Sequence, residues 1–243
     1  PRWSVDEEPN EPNHAGWMVE IDPTDPTSTP VKRTALGRFK HEGAGLFINQ
    51  DGRVVVYMGD DQRFEYLYRF VSKHRYRKGD QAHNMRLLDD GILSVAQFSD
   101  NQVIWHPLVF GQGAHTKANG FDSQADVVIE ARRAADLVGA TPMDRPEDVE
   151  VNPVTGSVFA IMTNNSKRTA EQADAANPRG PNSSGHIIEM MPPKNDHSAS
   201  VYDWTMFLMG GPLESDDNKA RGAYHPRTGD DGWFASPDNM TFD

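Results

Sequence analysis

The sequence predicts an all-β fold of the propeller type, and three observations support this prediction. Glycine and proline are frequent, with 20 and 17 copies in 243 residues, which is typical of many short strands joined by turns. Short apolar segments, such as residues 54–58, alternate with polar turns along the chain. The pattern of strand, turn and acidic residue also recurs, and such recurrence favours radial or stacked β architecture, chiefly propellers.

The recurrence centres on residues 141–165, in which Arg145, Glu147 and Asp148 lie on a proline-bounded turn before two strands. Residues 41–61 follow the same plan, with Glu42 before the strands and Asp60 and Asp61 after them. Residues 236–243 begin a third copy, in which Pro237-Asp238-Asn239 aligns with Pro146-Glu147-Asp148. Residues 12–23 also match residues 181–192 at Pro, Asn, Gly, Glu and Pro in register. In a propeller, one carboxylate from each repeat is expected to meet the others at the central axis.

Taken in order, the apolar segments predict further strands and one helical insertion. Strands are expected at residues 16–22, 33–39, 54–58, 65–72, 92–98, 102–109, 185–191 and 201–209. Residues 123–140 have apolar residues at helical spacing, with Ser123 able to cap the start and Gly139 to end it, so one inserted helix, at most two, is expected. The polar segments 166–184 and 213–232 are excursions, and the first is a candidate lid or pocket wall.

Composition excludes several classes of function. The net charge of −12 leaves no basic surface to neutralise phosphates in quantity, so no nucleic-acid partner is expected. No run of about 18 apolar residues is present, so no membrane span is expected. The chain has no cysteine, hence no disulfide framework, and its nine histidines occur singly, without the spacing of a zinc site.

The repeated acidic residues have the chemistry of a hard-cation site, because calcium prefers six to eight oxygen ligands. The residues at the predicted strand ends that offer such oxygens are Glu42, Asp60, Asp61, Glu147, Asp148, Asn164, Asn165, Asp238 and Asn239. Several cations in one acidic group suit phosphoryl transfer, with Arg145 binding phosphate oxygens. An ion pair of Arg145 with Asp144 or Asp148 is the alternative for this arginine.

Four motifs carry a resemblance to a known family over nearly all of the chain. Residues 33–44, 58–61, 145–150 and 236–239 resemble the PhoX-type alkaline phosphatases. This resemblance implies a six-bladed β-propeller with a calcium and iron cluster in its central channel. It further implies hydrolysis of small-molecule phosphate monoesters by a periplasmic or secreted bacterial enzyme exported by the twin-arginine route.

The resemblance also implies roles for individual residues. Glu42, Glu147 and Asp238 match metal ligands, Asp61 matches a further calcium ligand, and Arg145 matches a catalytic arginine that contacts the substrate phosphate. Weaker metal candidates are Asp60, Asp148, Asn164 and Asn239. The iron of the family is held partly by a cysteine, which this sequence lacks and which in the family lies before the segment matched here.

The chain is accordingly expected to be part of one larger catalytic domain. Residues 1–243 are expected to supply three to four blades in an open arc, to be monomeric, and to have little activity when expressed alone. Two other functions fit the residues: a non-catalytic, calcium-stabilised propeller that binds a partner, and a calcium-dependent propeller hydrolase of the lactonase type with a carboxylate base.

Overall fold

The computed structural model describes residues 4–215, 217 and 220–243, and within them strands greatly outnumber helices. A two-stranded sheet pairs β1 (Val19–Glu20) with β2 (Val31–Lys32). The remaining strands are β3 (His41–Ile48), β4 (Arg53–Asp60), β5 (Leu67–Arg75), β6 (Gly91–Phe98), β7 (Gln102–Pro107), β8 (Pro146–Val151), β9 (Val158–Met162), β10 (His186–Met191) and β11 (Val201–Met209). The expected all-β class is confirmed.

These nine strands form one antiparallel sheet in the order β3-β4-β5-β6-β7-β11-β10-β9-β8. It contains two four-stranded meanders, a first meander of β3 to β6 and a second meander of β8 to β11. Strand β7 pairs with β6 on one side and with β11 on the other, so it joins their outer edges. The two meanders lie in one sheet that folds back until its first and last strands, β3 and β8, are in contact.

Alternation along the strands gives each meander two buried faces. In β4, Val54, Val56 and Met58 face one core cluster, whereas Val55 and Tyr57 face another. The second cluster lies between the meanders and includes residues of both. The first cluster lies on the outer face of the first meander, against the helical insertion.

The helical insertion is two short helices, α2 (Gln124–Ile129) and α3 (Ala131–Leu137), rather than one. The Ser123 side chain accepts a hydrogen bond from the Asp126 amide, which confirms the predicted cap. The helix is interrupted at Glu130, where ψ is 41°. Arg38 provides the physical reason, because its backbone N–H and its Nε donate to the Val128 and Ile129 carbonyls, which a continuous helix would use.

Two smaller elements differ from the sequence prediction. Residues 33–39 are not a strand: β2 ends at Lys32 and a 3₁₀ turn, Thr34–Leu36, follows, closed by Gly37 at φ +83°. A short helix, α1 (Gln81–Asn84), capped by Asp80, was not predicted. The other 3₁₀ turns are Glu11–His14, Lys117–Asn119, Ala170–Gln172 and Pro193–Asn195. In the described part of the chain, no helix has the length and apolar character needed to cross a bilayer.

Candidate metal centre

Three carboxylates from different strand ends meet where β3 and β8 come together. Glu42 lies on β3, Asp61 directly follows β4, and Glu147 lies on β8. One carboxylate oxygen from each lies within 4.8 Å of the others, a spacing that would allow all three to ligate one ion. Glu147 lies more than 80 positions from Glu42 and Asp61 in the sequence.

A bulge lies next to or at each of the two glutamates. On β3 the register shifts between Glu42 and Gly45, and on β8 it shifts between Pro146 and Val149. A bulge adds one residue to its strand, bends it and redirects the neighbouring side chains, and such irregularities are common next to functional sites. Glu42 is the last paired residue before the β3 bulge, whereas Glu147 is itself one of the two bulged residues of β8, so the two glutamates differ by one position relative to the bulge.

Glycines allow the two strands to approach closely enough for the carboxylates to meet. A Cβ on Gly45 would lie 1.9 Å from the Val149 carbonyl oxygen, and one on Gly59 would lie 2.2 Å from the Glu147 carbonyl oxygen. Real Cβ atoms are not found at such distances, so only glycine fits at either position without movement of the β8 backbone. Gly45 therefore sets the separation of β3 from β8, and Gly59 sets that of β4 from β8.

Arg145 places a guanidinium directly against the acidic group. Its Nη2 atom lies 2.8 Å from a carboxylate oxygen of Asp61 and 3.0 Å from Oε1 of Glu147. The alternative predicted for Arg145, an ion pair with Asp144 or Asp148, is wrong: Asp144 is bound by Arg168, and the Asp148 oxygens accept hydrogen bonds from backbone amides. The backbone of Arg145 is left-handed, with φ +58°, which costs about 1–2 kcal/mol for a residue with a side chain. Strain of this kind clusters at functional sites.

Burial and mutual repulsion favour proton uptake by the acidic group. Burial, followed by the charges of Asp61 and Asp238, raises the pKa of Glu147 to about 8. The pKa of Glu42 is raised by burial and then by Asp61 and Asp238. Glu147 is only 2% exposed, whereas Arg145 retains 28% side-chain exposure. Negative charge is thus concentrated here beyond what one arginine balances, which is the condition under which a divalent cation binds strongly.

The third copy of the motif approaches the same group. Ser236 is left-handed, with φ +52°, and precedes Pro237 and Asp238, just as left-handed Arg145 precedes Pro146 and Glu147. The Asp238 carbonyl accepts a hydrogen bond from the Asp148 amide at 3.4 Å. The Asp238 side chain is exposed, and its charge raises the pKa of both Glu42 and Glu147.

The weaker metal candidates have other surroundings. Both oxygens of Asp60 accept hydrogen bonds from Arg132, at 2.6 and 2.7 Å, so this carboxylate is used in an ion pair. Those of Asp148 accept hydrogen bonds from the Val149 and Met240 amides. Asn164 donates to the Ser236 hydroxyl at 3.4 Å, and Asn239 is exposed.

Sequence reasoning missed a buried polar network behind Arg145. Arg168 Nε donates to Asp144 at 2.6 Å, and Asn182 Nδ2 donates to the other Asp144 oxygen at 2.9 Å. All three side chains are almost fully buried. The spacing of residues 144, 168 and 182 does not predict this contact, because the contact depends on how the excursion at residues 166–184 folds back.

The donor set fits a hard cation. Glu42, Asp61 and Glu147 offer oxygen only, which suits calcium. The 243 residues contain no cysteine, so a thiolate ligand for iron does not come from them. What the fold and the site define is a β-propeller-type protein with an acidic, arginine-bearing centre.

Comparison with known proteins agrees with this description. The family model described as "Alkaline phosphatase PhoX" matches residues 1–243, and the chain belongs to this family. A solved structure of Pseudomonas fluorescens PhoX in complex with vanadate, a transition state analogue, matches with a TM-score of 0.93 and 43% identity. The match covers 100% of this chain and 44% of that one, so the chain spans less than half of the matched structure. No match was found among curated proteins.

Proposed function

We propose that the intact protein carrying this chain is a metal-dependent alkaline phosphatase that hydrolyses phosphate monoesters. In this proposal Glu42, Asp61, Glu147 and Asp238 hold calcium, and Arg145 binds the phosphate of the substrate. The observation that carries the proposal is the convergence of three carboxylates within 4.8 Å, with the Arg145 guanidinium against two of them. Family membership and the vanadate bound to the matched PhoX support it.

The roles of the residues follow from their charge and exposure. Calcium bound here would supply positive charge toward the phosphoryl oxygens of the substrate. Arg145, held by Asp61 and Glu147 but partly exposed, can offer its remaining N–H donors to two phosphate oxygens in the planar fork that suits them. Because its conformation is fixed before substrate arrives, little reorganisation is needed when charge develops on the phosphoryl group.

The finer parts of the proposal rest on the family. We include iron as a second metal, small-molecule phosphomonoesters as substrates, a monomeric state, and a periplasmic or secreted location reached by the twin-arginine route. We also propose that residues 1–243 are part of one larger propeller domain and have little activity alone, since they span 44% of the matched chain.

The test is hydrolysis of p-nitrophenyl phosphate by the intact protein, measured after chelation and after calcium is restored. We expect activity to require calcium, and we expect Arg145→Ala to lower kcat/KM about 100-fold or more, as loss of a transition-state donor does. Glu147→Gln should also abolish most activity, with the fold retained by circular dichroism. Arg133→Ala is the matched control, because Arg133 forms an ion pair with Glu130 on the exposed helical insertion.

Two results would contradict the proposal. Arg145→Ala with unchanged kcat/KM would remove the arginine from the reaction. Hydrolysis of a lactone but not of the phosphomonoester would favour the lactonase-type alternative, and calcium binding without hydrolysis of either would favour the non-catalytic propeller.

A further inference from the structure

The buried network behind Arg145 is a built unit, which we call the Arg145 clamp and define as Asp144, Arg168 and Asn182. The relative exposure of these residues is 0%, 3% and 0%. Arg168 and Asn182 each take one oxygen of the Asp144 carboxylate, at 2.6 and 2.9 Å. The clamp therefore satisfies both oxygens of a charge that has no access to solvent.

Arg168 holds the chain before Arg145 at a second point. Its Nη2 donates to the Pro142 carbonyl at 2.6 Å, and its Nη1 donates to the Gln172 carbonyl at 2.8 Å. One guanidinium thus fixes both the side chain of Asp144 and the backbone two residues before it. This uses the fork of donors that arginine has and lysine lacks.

The excursion at residues 166–184 supplies two of the three residues of the clamp, Arg168 and Asn182. Asn165 and Asn182 exchange backbone hydrogen bonds at 2.6 and 3.1 Å, which closes the base of the excursion. Arg168 and Asn182 then reach Asp144 from its two ends. The segment proposed from sequence as a lid or pocket wall is therefore anchored against the residue that precedes the arginine of the site.

The backbone on either side of Arg145 is fixed as well. The Phe64 amide donates to the Met143 carbonyl at 2.9 Å, and the Thr163 amide donates to the Arg145 carbonyl at 3.1 Å. Between these two points the chain must adopt the left-handed conformation of Arg145. A conformation of this cost persists only where its surroundings determine it, and the clamp is the surrounding structure here.

From these contacts we propose that Asp144 and Arg168 are positioning residues, which hold Arg145 in the left-handed conformation that places its guanidinium against Asp61 and Glu147. A buried ion pair is a weak source of stability, and fixing one arrangement of the chain is its best-supported use. The consequence for catalysis rests on the proposed phosphatase function, whereas the consequence for the backbone of Arg145 does not.

A double-mutant cycle in the intact protein tests the catalytic consequence. Arg168→Lys keeps the charge but loses the fork, and we expect it to lower kcat/KM for p-nitrophenyl phosphate about tenfold. In an Arg145→Lys background the same change should cost less than twofold, because the group that it positions has been replaced. Equal losses in both backgrounds would overturn the proposal, since a merely structural role affects both alike. Should Arg168→Lys fail to fold, Asp144→Asn takes its place in the cycle.

Arg33→Lys is the matched control variant. Arg33 is also 3% exposed, and its guanidinium binds Glu20, Asp89 and the Met85 carbonyl. Arg33→Lys therefore loses the same kind of contacts as Arg168→Lys. Among the described residues, these partners lie outside the acidic group and the clamp. We expect Arg33→Lys to leave kcat/KM within twofold of wild type.

Amide hydrogen exchange separates failure of this inference from failure of the proposed function. The Thr163 amide reports the position of Arg145 directly, because it donates to the Arg145 carbonyl. Arg168→Lys should accelerate exchange at Thr163 about tenfold, and Arg33→Lys should not. If the wild-type protein hydrolyses no phosphomonoester, the proposed function fails, and faster exchange at Thr163 still supports the positioning role. Unchanged exchange at Thr163 would overturn it whether or not the enzyme is active.

Discussion

The inner strands of the two meanders reach the acidic group in different ways. On β3, Glu42 is followed by Gly43 and Gly45, which have no side chain at the contact and therefore let β8 come close. On β8, Glu147 follows a left-handed Arg145 and Pro146, and no glycine is present. Glu42 is half-buried, whereas Glu147 is 2% exposed.

This difference shows how one repeated pattern can serve two purposes. The first meander supplies space and a partly exposed ligand, and the second supplies a buried carboxylate and a strained arginine held from behind by Asp144 and Arg168. The two strands share a bulge where the ligands come together, next to Glu42 on one and at Glu147 on the other. The chemical asymmetry comes from what packs against each strand.

The largest expected effect is on the contact between the two strands. Gly45→Ala would place a Cβ 1.9 Å from the Val149 carbonyl oxygen, so β8 must move away from β3. We expect the free energy of unfolding to fall by about 3 kcal/mol, the upper end for overpacking, since backbone rather than a flexible side chain is displaced. Urea denaturation measures this.

Gly229→Ala is the control for that change, because a Cβ at Gly229 meets nothing within 4 Å. It should alter the free energy of unfolding by no more than about 0.5 kcal/mol. If Gly45→Ala were as well tolerated as Gly229→Ala, the close approach of β3 and β8 would not be a requirement of the fold.

Sequence reasoning predicted the carboxylates better than their surroundings. The convergence of Glu42 and Glu147 was predictable because acidic residues recur beside the predicted strands, whereas Asp61 was chosen over Asp60 only through the family resemblance. Asp60 adjoins Asp61 but faces Arg132, and sequence could not separate the two, since neighbouring strand residues point to opposite faces.

The clamp and the interrupted helix were not predictable for a different reason. Asp144 meets Arg168 and Asn182 through an excursion whose path is set by tertiary packing rather than by local pattern. The break at Glu130 likewise depends on Arg38, more than 90 positions earlier, which takes the helix carbonyls. Local propensity carries no information about contacts of such separation.

A second prediction concerns the acid sensitivity of the network that supports the second meander. Asn182 accepts a hydrogen bond from the Gly185 amide through Oδ1, so its Nδ2 is the donor toward His186 Nδ1 at 3.0 Å. The imidazole must therefore be neutral. Burial, followed by the charge of Arg179, lowers the pKa of His186 from 6.5 to about 3.

The sign of the pH effect follows from proton uptake on unfolding. Between pH 6.5 and about 3 the unfolded chain binds a proton at His186 that the folded chain does not, so stability falls as pH falls through this window. From pH 6.5 to pH 5 the loss in the free energy of unfolding should be about 2 kcal/mol.

His186→Gln keeps an acceptor but does not titrate, so its stability should fall less over this interval. Urea denaturation at both pH values measures the difference, with His14→Gln as the exposed control. If the free energy of unfolding fell equally with pH in wild type and in His186→Gln, His186 would not be the source of the acid sensitivity.

The smallest expected effect compares the two glutamates as calcium ligands. Glu42→Gln and Glu147→Gln each replace one carboxylate by an amide, but Glu147 lies in the more buried setting, where a bound cation interacts more strongly with its ligands. We expect both variants to weaken calcium binding, and Glu147→Gln to weaken it about tenfold more than Glu42→Gln, a difference of about 1.4 kcal/mol. Isothermal titration of the intact, chelator-treated protein measures both affinities. Of the two substitutions, only Glu147→Gln removes a carboxylate partner of Arg145. If Glu147→Gln weakened calcium binding less than Glu42→Gln, Glu147 would mainly hold the arginine, and the first meander would supply the main calcium ligand.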